Sequence, residues 1–146
     1  MSTSPFKNYR VGLNHVGSYQ TSGTPFLTSS TPPQDDGDTS LKIGFPNVTR
    51  RITFKSTSNK DLRIHFAPYS GSDAASHGYT NNASASANFV ILGGAGSGSI
   101  VMDVKCEEVF ISATAASATG QVYVTAELTG IPKERMFSLD GVDGVS

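Results

Sequence analysis

The chain has 146 residues, the size of one domain, with 37% hydrophobic residues, no tryptophan, 16% charged residues and a net charge of −1. It has no basic block and no Lys/Arg stripe with interleaved aromatics, so a nucleic-acid partner is excluded. Its single cysteine, Cys106, excludes an intrachain disulfide and leaves the fold to its core.

The opening MSTSPFKNYR lacks the apolar run of a secretory signal, and no stretch approaches the ~18 apolar residues of a membrane span. The expectation is a chain made in a cytoplasm, with no membrane partner. The sequons at Asn47 and Asn82 are then chance matches. Residues 1–40 hold no sustained period, because Gly, Pro, Ser, Thr and Asp break every candidate strand. Large residues nevertheless recur there, among them Phe6, Tyr9, Val11, Leu13, Val16, Tyr19, Phe26 and Leu27. A disordered tail would be poorer in aromatics. Residues 1–40 therefore read as an extended N-terminal arm with anchors and a short strand at Tyr19–Thr21.

From Leu41 the pattern becomes alternating. Leu41, Ile43 and Phe45 share one parity; after Pro46, Val48, Ile52 and Phe54 do the same. The turn SNKD (58–61) ends that strand, and Leu62, Ile64 and Phe66 alternate with Arg63 and His65, which point outward. Residues 68–88 form a long polar loop, and loops of that length are often functional. A short apolar strand at Phe89–Leu92, a turn at GGAGSGS (93–99) and an alternating run through Ile100, Met102 and Val104 follow. Val109 and Ile111 continue the pattern, and a small-residue turn (113–120) leads to the clearest strand, Gln121–Thr129. Seven or eight short strands, frequent turns and no amphipathic helix predict an all-β fold, an antiparallel β-sandwich or jelly roll, over residues 41–130. Each fully buried Val, Ile, Leu or Phe contributes about 1.5–3 kcal/mol to such a core. Residues 131–146 leave the sheet at Pro132 as a C-terminal arm, with one helical turn over 133–138.

Nothing in the chain reads as an enzyme or a cofactor site. GGAGSGS lacks the helix and the lysine of a phosphate cradle and reads as a hairpin turn. The acidic run Asp35, Asp36, Asp38 lacks the closing glutamate of a calcium loop and reads as a solvated turn. His15, His65 and His77 are scattered singly, without zinc spacing. No serine sits in a nucleophile-elbow context, and Cys106, at the end of an apolar strand, reads as a small buried hydrophobe.

What remains is the arms. Fully extended, residues 1–38 reach at most about 125 Å and residues 131–146 about 50 Å. Tyr, Phe and Met anchors along a polar thread suit a tether that docks into grooves. The other course is that both arms fold back on their own domain.

Three segments, VGLNHVGSYQTSGTPFLT (11–28), FPNVTRRITF (45–54) and LTGIPKERMFSLDG (128–141), resemble small virion proteins of tailed bacteriophages, marine and cyanobacterial ones in particular. They cover under a third of the chain, and none is a catalytic signature. The resemblance implies a capsid decoration (cement) protein that binds the major capsid protein between coat subunits at local three-fold axes. It also implies contact with copies of itself, as a trimer, on the virion surface. On that reading Phe6, Tyr9, Tyr19 and Phe26, then Met136 and Phe137, are the coat or subunit contacts. Tyr69, His77 and Tyr79 in the 68–88 loop face outward or a sister subunit. The alternative is a tail or fibre component that binds host surface glycans, with Tyr69 and Tyr79 stacking on sugar rings. The lack of tryptophan and of a coiled-coil or β-helical shaft speaks against it.

Overall fold

Alternation converts directly into layers. In the computed structural model, which describes residues 12–20, 23–33, 40–66, 89–94 and 96–139, eight strands form two four-stranded sheets. They are β1 (Thr24–Ser30), β2 (Leu41–Gly44), β3 (Asn47–Ser56), β4 (Leu62–His65), β5 (Val90–Leu92), β6 (Gly98–Met102), β7 (Glu108–Ala113) and β8 (Val122–Pro132). The first sheet has the order β1-β8-β3-β6 and the second β2-β7-β4-β5, with every pair antiparallel. The fold is thus the expected all-β antiparallel sandwich. Its pairs β1:β8, β2:β7, β3:β6 and β4:β5 join strands placed symmetrically about the middle of the chain.

The inward parity of each strand fills the space between the sheets. Ile52 and Phe54 of β3 and Val122, Val124, Ala126 and Leu128 of β8 face Ile43, Leu62, Ile64, Leu92, Val109, Ile111 and Ala113. Phe45 and Cys106 close one end of this core. β3 and β8 are the central strands of the first sheet, in register from Ser56↔Val122 to Arg51↔Glu127. Beyond Arg51 the register slips twice, at Thr49 and Asn47, and the bulge buries both Val48 and Thr49.

At the far end of the core the turns latch together. The Asp61 carboxylate accepts a hydrogen bond from Gly94 N (2.6 Å), and its carbonyl accepts one from the Thr114 hydroxyl (2.8 Å). Asn59 Oδ1 accepts one from Thr119 N (2.8 Å). Gly120, at φ +92° against the Thr57 carbonyl, occupies a place where a Cβ would meet both strain and a clash.

Several expectations change. The segment taken as arm supplies β1, which pairs with β8 along its whole length. TPFLTSS hides this because it is an edge strand with Pro25 and an outward Leu27. A helical turn, α1 (Gly17–Gln20), stands in place of a strand beginning at Tyr19. GGAGSGS is not a hairpin, because it carries the chain from β5 in the second sheet to β6 in the first. His65 has the outward parity but is 4% exposed, with Arg63, Phe110 and Ser112 also buried on that outer face.

Candidate interaction surface

Both end segments of the described chain fold back onto the same end of the sandwich. On the N-terminal side, residues 12–20 form two tight turns, closed by His15 N to Gly12 O (2.9 Å) and Tyr19 N to Val16 O (3.0 Å). Lys105, in the connection between β6 and β7, pins this segment. Its Nζ donates to Leu13 O at 3.0 Å and lies 4.5 Å from the centroid of the Tyr19 ring. The Tyr19 hydroxyl donates to the same carbonyl at 2.8 Å, and partial burial holds its pKa above the ordinary value.

On the C-terminal side, a 3-10 turn over Lys133–Arg135 follows β8. Met136, Phe137, Ser138 and Leu139 then line a small hollow with Phe66, Glu107 and Glu108. Phe66 and Leu139 pack on the core from there. Beside it lies a more open hollow floored by Phe45 and Pro46 and edged by Glu107, Glu108, Lys42 and Lys133. Lys42 Nζ and Glu108 Oε2 stand 2.8 Å apart, and the hydrogen bond that the ammonium donates to Glu108 raises the lysine pKa. The connection 103–107 and the start of β7 thus lie between the two end segments of the described residues. Each segment leaves one large apolar side chain in solvent beside them, Val16 at 64% and Phe137 at 58% exposure.

The expected contact residues part company here. Phe137 is exposed and Met136 half-buried at this end. Tyr19 anchors its own segment. Phe26 packs against the core, its ring 5.2 Å from that of Phe45 at 81°. Phe6, Tyr9, Tyr69, His77 and Tyr79 lie outside the described residues, as does the acidic run at 35–38. Sequence reasoning missed Lys105 and Glu107, which looked like ordinary polar residues at a strand end.

The outer face of the first sheet is a second exposed surface. Leu27, Val101 and Tyr123 are 72%, 56% and 43% exposed. Register aligns Leu27, Thr125, Thr53 and Val101 in one row across all four strands. The adjoining rows are Ser29, Tyr123, Lys55, Ser99 and Pro25, Glu127, Arg51, Asp103. The Arg51 Nε donates to Asp103 Oδ1 at 2.6 Å, and that contact holds the carboxyl below the ordinary aspartate range.

Two further clusters are buried. His65 Nε2 and Ser112 Oγ are 2.9 Å apart, with the Phe89 ring edge-on to the imidazole, but Ser112 is fully buried. Cys106 is equally buried, and desolvation pushes its thiol up to about 11. Between about pH 9 and 11 the unfolded chain therefore sheds this proton while the folded chain keeps it, so stability falls as pH rises. Urea unfolding at pH 8 and pH 10.5 should show a loss of about 2 kcal/mol that the Cys106→Ala variant lacks. Equal slopes for both proteins would show that the thiol does not titrate this way.

Among the described residues no helix is long and apolar enough to cross a membrane, and no group of three or more His, Cys, Asp or Glu could hold a metal ion. No family model and no curated protein matches the chain. A solved structure of a Bacillus endospore appendage, from a family of disulfide-linked pili, is similar over 73% of this chain and 85% of that one, with 16% identity and a TM-score of 0.38.

Proposed function

We propose that the chain is a structural virion protein. In this reading it binds between coat subunits on the outer surface of a phage head and stabilises the shell, as a binding module and not an enzyme. The strand orders β1-β8-β3-β6 and β2-β7-β4-β5 read as a jelly roll, an arrangement that capsid proteins share with lectins and other families. Fold alone therefore leaves function open. The observation that carries the reading is the convergence of both described end segments on the 103–107 connection and the start of β7, each with an exposed apolar side chain. Such a surface docks rather than reacts, and many weak copies on a lattice act together.

The test is to incubate the protein with the heads of the phage that carries it and then sediment them. A chain lacking residues 1–11 retains β1, whereas removal of residues 1–30 would take β1 out of the sheet. The shortened chain should fold, by circular dichroism, and fail to sediment with heads; Phe137→Ser should weaken binding. Normal binding by both variants, or location of the chain on the tail in electron cryomicroscopy, overturns the reading.

A further inference from the structure

We infer that the outer face of the first sheet binds a second copy of this chain, face to face, about a two-fold axis parallel to the strands and midway between β8 and β3. The inference stands apart from the capsid reading and rests on the register of four strands.

A rotation about that axis lays β1 over the partner's β6 and β8 over its β3, and each row falls on itself. In the middle row Leu27 meets Val101 of the second copy, and Thr125 meets Thr53. In the next row Tyr123 meets Lys55, a cation over an aromatic face. In the last row Glu127 meets Arg51. Arg51 already binds Asp103 through Nε and Nη2 (2.6 and 3.3 Å), and a guanidinium has donors left for a second carboxylate. Among the described residues Glu127 Oε2 accepts no hydrogen bond; that oxygen is buried 3.5 Å from Arg50 Nε, while the glutamate side chain as a whole is 41% exposed on the outer face. Charged groups that confront one another are therefore of opposite sign or meet a π face, and Asp103, already bound by Arg51, lies opposite Pro25.

The other in-plane axis, perpendicular to the strands, exchanges the outer rows. It sets Lys55 against Arg51 and Glu127 against Tyr123. The first axis is self-complementary and the second is repulsive, which selects one arrangement. Sheets stack about 10 Å apart with strands turned by about 30°, so the facing holds best for the central strands, where the charged pairs lie. Four strands about 4.8 Å apart and three rows about 7 Å apart give a modest patch, at the lower end of specific interfaces. The dimer is accordingly reversible and salt-sensitive.

The experiment is sedimentation equilibrium of the full chain at rising concentration, at low salt and again at about 0.5 M salt, beyond which exposed charges are screened. A monomer–dimer equilibrium weakened by salt is expected. Arg51→Glu places two pairs of carboxylates in opposition, and Glu127→Arg places two pairs of guanidiniums in opposition. Each variant should lose self-association at least tenfold. An equimolar mixture of the two restores both opposite-sign contacts and should recover the dimer. Because the variants complement only in the mixture, recovery also shows that each is folded. Leu27→Glu should block association in every combination. A chain that stays monomeric throughout, a mixture that fails to associate although circular dichroism shows both variants folded, or unimpaired dimers of Leu27→Glu would overturn the inference.

Discussion

Replacing Phe54 by alanine is expected to cost about 3–5 kcal/mol of folding stability, the range for a large aromatic removed from a core. Phe54 is fully buried in β3, a central strand, where it lies in register with Val124 on one side and Ile100 on the other. A void there opens in a core that both sheets share, to which the second contributes Leu62, Ile64 and Ile111. A domain of this size holds only about 5–15 kcal/mol in total, so the variant should remain folded but unfold at much lower urea. Phe54→Leu, which keeps most of the volume, should cost less than about 1.5 kcal/mol. The same strand presents Arg51, Thr53 and Lys55 on its other side, so a loosened Phe54 should also blur the rows of the outer face. A loss below 1 kcal/mol in the alanine variant would show that the two layers are not packed around this ring.

The alternating strands were legible because each has one dry face. Ile52 and Phe54, Leu62 and Ile64, and Val122 through Leu128 all fall on the buried parity that the sequence shows. β1 was not legible, because an edge strand needs only Phe26 to face inward and can leave Leu27 in water. His65 and Arg63 have the parity that alternation requires, yet that face is buried too, and alternation says nothing about what lies beyond a sheet's second face. The crossing of GGAGSGS between sheets is likewise a tertiary fact. Gly98 permits it, since a Cβ there would overlap the Gly93 carbonyl. The convergence of the described end segments depends on Lys105 reaching Leu13, a contact across 92 positions that no local pattern encodes.

The second large effect is expected at Thr49. Its hydroxyl donates to Val104 O at 2.7 Å and accepts from Cys106 N at 3.1 Å, and Thr49 N donates to Cys106 O at 3.0 Å. β6 has ended at Met102, so these bonds replace the ladder and hold residues 104–106 beside the bulged start of β3. Thr49→Val keeps the shape and removes the hydroxyl, leaving a buried N–H and a carbonyl without their partner. An unsatisfied buried group costs about 1–3 kcal/mol and the Val104 carbonyl is only part-buried, so a loss of about 2–4 kcal/mol is expected. Thr49→Ser keeps the hydrogen bonds and loses one methyl, which should cost about 1 kcal/mol. The Val104–Cys106 strap carries Lys105, so the valine variant should also release residues 12–20, read as faster hydrogen exchange at the Ser18 and Tyr19 amides. If valine and serine destabilise alike, packing and not the hydroxyl holds the strap. If the valine variant unfolds earlier but leaves those two amides protected, the N-terminal segment is fixed by β8 rather than by Lys105, and the clamp at the end of the sandwich is not what organises the proposed docking surface.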